Sequence, residues 1–230
     1  MSRYLIIDLL VLAVPLLFSF WGRVKYYRRV PFILAAFAGA GLPFLAWDVW
    51  ATARGDWGFN PRYLVGMTFL GLPIEEILFF LMIPYSCLFI YENLICHFPD
   101  RRFRFPAVLN GAAVTGCLVL ALIYWQQNYT RTVLLVCGLF FLITIFFDHE
   151  MLESMLFWVY MAITYFPFFL VNYLLTSPPI VWYDPKAIWG LRATTIPLED
   201  FIYSFSMLAF YTLVYRVFRK RTSSGPFLEF

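Results

Sequence analysis

The 230-residue chain is 62% hydrophobic and 22% aromatic, and only 13% of its residues are charged. A soluble domain is about 45–50% apolar and about 25% charged, so this composition excludes an ordinary soluble enzyme. With a net charge of only +3, the basic residues are better explained as determinants of membrane orientation than as a nucleic-acid-binding surface. We therefore expect a membrane protein with no nucleic-acid partner.

Apolar runs of about 20 residues recur along the chain, the length needed to cross the roughly 30 Å hydrocarbon core of a bilayer. They predict an all-α, polytopic fold with about seven transmembrane helices. The predicted spans are 3–21, 31–50, 70–92, 106–125, 131–147, 151–174 and 196–216. The longest connections are 51–69 and 175–195, and each contains an Asn-Pro or Asp-Pro step typical of a turn.

The distribution of Lys and Arg predicts the orientation of these spans. Eleven of the 17 basic residues fall on the side that carries the 22–30 and 93–105 loops and the C-terminus, and six fall on the other side. The positive-inside rule places the richer side in the cytoplasm. We expect a multi-pass protein of the cell membrane with its N-terminus outside and its C-terminus in the cytoplasm.

The chain resembles itself when it is shifted by 124 residues. Segment 59–62 (FNPR) then falls on 183–186 (YDPK), and segment 72–76 (LPIEE) falls on 196–200 (IPLED). Matched polar positions at a single offset favour an internal duplication over chance alignment of apolar helices. We predict two parallel three-helix repeats, 1–95 and 127–230, joined by a connector, 96–126, that contains the fourth helix.

Each predicted repeat carries two adjacent acids one residue after a proline, Glu75 and Glu76 in the first and Glu199 and Asp200 in the second. A single such motif is a good helix start, because proline suits the first turn and acids favour the positive helix end. Two motifs at matched positions in a membrane protein favour a shared functional site.

Four carboxyls that converge in a medium of low dielectric constant cannot all be ionised. Such a group suits general acid–base catalysis, in which a protonated member donates and an ionised member accepts. We predict Glu75, Glu199, Glu76 and Asp200 as catalytic residues, with the identical pair Glu75 and Glu199 as the principal ones.

Polar and aromatic neighbours extend the predicted site. Asp48 and Asn172 lie 124 residues apart and are candidates for orienting the acids, although ordinary interfacial hydrogen bonding would explain them equally well. Aromatic faces stabilise cations by about 0.5–2 kcal/mol, so aromatic residues near the acids could stabilise a carbocation. The candidates for contact with substrate are Phe79, Phe80, Tyr203 and Phe205.

Other clusters predict no cofactor or metal. Asp148, His149, Glu150 and Glu153 resemble a metal site in composition, but they fall on the predicted cytoplasmic side, away from the acid motifs, and fit a solvated turn better. The four cysteines have no metal or disulfide spacing. The chain has no dinucleotide fingerprint.

The segments "FNPRYLVGMTFLGLPIEEILFF" and "IPLEDFIYSF" resemble the lycopene cyclase domain family of small integral-membrane proteins, and the resemblance covers essentially the whole chain. It implies cyclisation of the linear ψ ends of lycopene to β-ionone rings, as in a lycopene β-cyclase. An acid protonates the terminal double bond, the ring closes on the cation, and a base removes a proton. It implies that the four acids lie in the active site, that lycopene comes from the bilayer, and that other enzymes of carotenoid biosynthesis are potential partners.

Two other functions remain open at this stage. A proton-coupled transporter of small solutes also fits a plan of three helices, a connector and three helices, and membrane carboxylates can couple protons. An assembly protein whose acids only cap helices is the second alternative, and it predicts that amides at the acid positions are harmless.

Overall fold

The computed structural model describes residues 2–223 and is mostly helical. Met1 and residues 224–230, at the ends of the predicted repeats, lie outside the described residues. The helices are α1 (Arg3–Phe18), α2 (Val30–Ala36), α3 (Leu42–Arg54), α4 (Ile74–His97), α5 (Ala107–Ile123), α6 (Asn128–Phe147), α7 (Glu150–Glu153), α8 (Met155–Thr176) and α9 (Leu198–Ser223). A π-helical turn, Phe37–Gly41, joins α2 to α3, so that Tyr26–Arg54 forms one long helical run.

Five helical segments are long and apolar enough to cross a membrane, which supports the predicted membrane protein. They are Tyr26–Arg54, Ile74–His97, Asn128–Phe147, Met155–Thr176 and Leu198–Thr222. Helix α5 is apolar but has 17 residues, and α1 has 16. The count of seven spans therefore remains a prediction.

The two long connections and the first residues of the predicted spans that follow them fold into short strands that the sequence did not predict. They are β1 (Trp57–Phe59), β2 (Thr68–Phe69), β3 (Leu72–Pro73), β4 (Val181–Tyr183), β5 (Arg192–Ala193) and β6 (Ile196–Pro197). Strands β2–β3 and β5–β6 form two hairpins, and β1 pairs antiparallel with β4. At the centre of that pair Gly58 faces Trp182, and a Cβ at Gly58 would overlap the indole ring.

Corresponding elements begin 124 residues apart along the chain. The hairpins start at Thr68 and Arg192, and the helices that follow them start at Ile74 and Leu198. Both acid pairs consequently occupy the first turn of a long helix, at the same end of the molecule. The duplication itself remains a prediction, with which this spacing agrees.

Helices pack both within and across the two halves of the chain. Within the halves α1 packs on α4 and α6 packs on α9, and across the halves α2 packs on α9 and α8 packs on α4. The main buried cluster lies among these helices. The run from α2 to α3 approaches α9 closely at Gly41, where a Cβ would overlap the Tyr211 hydroxyl. A residue without a Cβ permits this close approach, as small residues do between membrane helices.

The C-terminal ends of α4, α6 and α9 meet in a polar region, which we call the ion-pair end. Buried Glu92 accepts hydrogen bonds from Arg29 (3.1 Å) and Arg219 (2.5 Å). Buried Asp148 accepts from Arg216 (2.6 Å) and Lys220 (2.8 Å). The expected solvated turn at 148–150 is therefore wrong for Asp148, because two cations hold its carboxylate inside the protein.

Candidate active site

A cavity of about 390 Å³ lies between α1, α4, α8 and α9. On α4 its lining runs from Glu76 to Ile90, a distance of about 20 Å at 1.5 Å per residue. The cavity is thus elongated along α4, and its walls are mainly apolar side chains.

The carboxyl groups of three residues line one end of this cavity, which we call the carboxyl end. Glu76 lies in the first turn of α4, Asp200 lies in the first turn of α9 and Asp48 lies near the end of α3. All three residues are buried, and Glu76 is the most exposed of them at 9%. The cavity therefore combines an end lined by buried carboxyls with an apolar channel.

Tyrosine hydroxyls hold two of these carboxyls in place. Tyr4, in the first turn of α1, donates to Glu76 Oε2 at 2.5 Å. Tyr129 and Tyr183 donate to the two oxygens of Asp200, each at 2.7 Å. Hydrogen bonds to a carboxylate favour its ionised form, so two phenol donors make Asp200 the better stabilised anion. Burial and the negative charge of Asp200 raise the pKa of Tyr183 well above its ordinary value, which keeps this phenol protonated.

Asp48 has a different environment. Its Oδ1 accepts from the indole Nε1 of Trp57 at 2.8 Å, while its buried Oδ2 has no hydrogen-bond partner among the described residues. A buried carboxylate with one donor is costly to keep charged. The neutral acid is therefore the form of Asp48 that this environment favours.

The other two predicted acids, Glu75 and Glu199, are fully buried but do not line the cavity. Glu75 Oε1 accepts from the Ser2 hydroxyl and the Val65 backbone amide, both at 2.6 Å. Glu199 Oε1 accepts from the Thr130 hydroxyl at 2.6 Å and the Trp189 backbone amide at 2.5 Å. Each thus ties the connection before its own helix to the start of α1 or α6.

The structure brings together part of the predicted substrate-contacting set. Asn172, Phe79 and Tyr203 line the cavity together with Asp48. Phe80 is fully buried in the main cluster, where Tyr211 donates to its carbonyl. Phe205 packs against other aromatic rings and is not among the lining residues.

Sequence reasoning missed the hydroxyl and indole donors of the site. They are Tyr4, Tyr129, Tyr183 and Trp57. Tyr4 and Tyr129 lie 125 residues apart, near the starts of α1 and α6, so a self-comparison that allowed a one-residue gap would have matched them. Asp8 of α1 is also fully buried, and its carboxyl oxygens have no partner among the described residues.

Comparisons with known proteins agree with the sequence resemblance. A family model described as lycopene cyclase matches residues 2–94 and 113–218. The bifunctional lycopene cyclase/phytoene synthase of Neurospora crassa is 27% identical over 124 residues, which cover 51% of this chain but only 20% of that relative. No solved structure matches the chain. Because the family match spans most of its length, the chain belongs to the lycopene cyclase family.

Proposed function

We propose that this chain cyclises the linear ψ ends of lycopene to β rings by acid–base chemistry without net redox change. A proton is added to C2 of the terminal C1=C2 bond, which leaves the positive charge on C1. The C5=C6 bond then attacks, forming C1–C6 and moving the charge to C5. Loss of the proton on C6 restores C5=C6. One proton enters and one leaves, so the product is an isomer of the substrate.

The observation that carries this proposal is an elongated apolar cavity with carboxyls at one end. The channel fits the terminal part of a polyene, and the acids meet it where the double bond would react. Aromatic residues Phe79 and Tyr203 line the same cavity and can stabilise the intermediate cation.

We assign separate roles to the acids that line the cavity. Glu76 has one phenol donor and is the most exposed of the three, so we assign it as the proton donor. Asp200, stabilised as an anion by Tyr129 and Tyr183, is the base. Neutral Asp48 keeps the negative charge of the site low. Glu75 and Glu199 stay predicted members of the site, and their contacts favour a positioning role.

We also propose that the two halves are parallel repeats in the cell membrane, with the carboxyl end towards the outside. The family match in two segments and the equal spacing of the hairpins support the repeats. The basic residues at the ion-pair end support the orientation. Lycopene would come from the bilayer, and other enzymes of carotenoid biosynthesis remain proposed partners.

Transport of a hydrophilic solute fits the cavity less well, because most of its lining side chains are apolar. The chain has a π-helical turn at Phe37–Gly41, but α4 and α8 run as continuous helices through Pro84 and Pro167. A cavity for a polar solute would need polar groups along its length, whereas here the acids lie at one end.

The decisive experiment is expression in a bacterial host that accumulates lycopene, followed by chromatography of the pigments. We expect the parent to form monocyclic or bicyclic carotene, and Glu76→Gln and Asp200→Asn to leave lycopene unchanged at equal membrane abundance. Glu75→Gln and Glu199→Gln are the control variants at the neighbouring acids, and we expect them to keep part of the activity. Lycopene left unchanged by a folded parent would refute the cyclase proposal, and full activity in Glu76→Gln and Asp200→Asn would refute their assignment as proton donor and base.

A further inference from the structure

The cavity opens on the membrane-facing surface at one place along α1. Leu10 and Val14 both line it, yet their residues are 68% and 58% exposed. They lie one helical turn apart on one face of α1. A residue that lines a cavity and is also mostly exposed marks a gap in the cavity wall.

Helix α8 forms the other side of this gap. Its residues Pro167, Phe168 and Val171 line the cavity, but the buried cluster shared by α1 and α8 lies around Tyr4, Val171 and Leu175, with Ile7 and Val11 packed against it. That cluster lies at the carboxyl end, so the two helices are joined there and leave the cavity wall open further along. The exposed surface of α1 beside the gap is apolar, since Leu9, Leu10, Val14 and Leu17 are all exposed.

The corresponding place in the other half of the chain is filled. Trp47 stands 124 residues before Val171 and packs against Tyr203 and Tyr129, with ring centroids 5.0 and 6.2 Å apart. It also contacts Phe44 and Trp57. Phe44, which stands 124 residues before Phe168 of the gap, is only 5% exposed, so aromatic rings fill the place that corresponds to the gap.

The size of the cavity limits how much of a carotene it can hold. Its volume of about 390 Å³ is near the lower end of the roughly 300–1,000 Å³ range of pockets for drug-sized ligands, and a carotene is larger than such a ligand. Only one end of the polyene can therefore lie inside, and the remainder has to pass through the gap into the hydrocarbon.

We propose that the gap between α1 and α8 is the binding site for the middle of the polyene, and that lycopene enters through it sideways from the bilayer, one end at a time. This inference rests on the proposed function. Because Trp47 and Phe44 fill the equivalent place, residues 2–223 form one such entrance. A second ring then requires the monocyclic carotene to leave, turn round and enter again.

The test narrows the entrance while leaving the acids untouched. Purified Leu10→Trp and Val14→Trp variants in phosphatidylcholine vesicles are compared with Leu17→Trp, a control on the same helix that is 61% exposed and does not line the cavity. We expect both entrance variants to lower lycopene binding and turnover by about tenfold, as overfilling a site does, and the control to match the parent. Leu10→Ala should bind as well as the parent.

Two readouts separate this inference from the cyclase proposal. The amount of lycopene that copurifies with the protein measures binding at the gap even if no ring forms. A parent that binds lycopene without cyclising it would therefore refute only the proposed reaction. Equal binding by the parent and both entrance variants would overturn the entrance. During turnover with excess lycopene, free monocyclic carotene should accumulate first, and bicyclic carotene formed without it would overturn the one-end-at-a-time order.

Discussion

The carboxyl end and the ion-pair end both bury acids, but they neutralise them differently. At the ion-pair end Glu92 and Asp148 are each held by two cationic side chains. At the carboxyl end, within residues 2–223, no salt bridge reaches Asp48, Glu76 or Asp200, and their partners are phenols and an indole.

The difference shows what each kind of partner permits. An Arg or Lys partner fixes a carboxylate in its charged form, and the buried pair then serves structure because removing either partner is costly. A phenol or indole leaves the proton available for exchange, since it stabilises the carboxyl group without adding a positive charge. Buried acids with neutral donors beside a cavity are therefore suited to proton transfer, as the acids of the proposed cyclase require.

The largest expected effect is loss of turnover at the carboxyl end. Glu76→Gln or Asp200→Asn removes a group that transfers a proton, and we expect turnover of lycopene to fall about 10²–10⁴-fold. The control is Glu92→Gln on the same helix as Glu76, which should leave turnover per folded molecule near that of the parent. Equal losses of turnover in the variants at both ends would contradict the proposed difference in function between the two ends. Initial rates in vesicles, normalised to folded protein, provide the measurement.

The next effect concerns stability at the ion-pair end. Arg216→Met deprives buried Asp148 of one of its two cations and Tyr91 of a 2.6 Å hydrogen bond. We expect the free energy of unfolding in detergent to fall by about 3 kcal/mol. Arg102→Met breaks a pair with Glu150 in which both side chains are about half exposed, and it should change the free energy by less than about 1 kcal/mol. Denaturant titration measures both free energies of unfolding, and equal stability of the two variants would contradict this prediction.

A third, smaller effect tests the neutral donors themselves. Tyr129→Phe or Tyr183→Phe removes one hydrogen bond to Asp200, worth about 1.5–3 kcal/mol when the acceptor is charged. We expect turnover to fall about tenfold and its pH profile to shift, because the Asp200 anion loses part of its stabilisation. Tyr203→Phe is the control, since Tyr203 lines the same cavity without a hydroxyl bond to Asp200. An unchanged pH profile in all three variants would contradict the proposal that phenol hydrogen bonds stabilise the Asp200 anion.

Sequence reasoning identified the features set by local pattern. Apolar runs located the five helical segments that are long and apolar enough to cross a membrane, and the proline and acid spacing located the helix starts that carry Glu76 and Asp200. It also matched Asp48 with Asn172, both of which line the cavity.

What the sequence did not reveal depends on tertiary contacts. Glu75 and Glu76 are adjacent and chemically alike, yet helix geometry turns one towards a backbone amide and the other towards the cavity. The donor Tyr4 is 72 residues from its partner Glu76, and no local pattern links the two. Asp148 looked like part of a solvated turn because its cations are supplied by α9, about 70 residues further along the chain.

The smallest expected effect is a pH dependence of stability caused by Asp148 at the ion-pair end. Burial acts to raise the pKa of Asp148, but the hydrogen bonds and charges of Arg216 and Lys220 outweigh it and lower that pKa from its ordinary value. The stabilisation is therefore complete above the unfolded-state pKa of about 3.9 and is lost as the pH falls towards the folded-state value. Each unit of lowering corresponds to about 1.4 kcal/mol. Between pH 6 and pH 3 the parent should lose more unfolding free energy than Asp148→Asn, and parallel pH curves would show that cations do not hold this acid in its charged form.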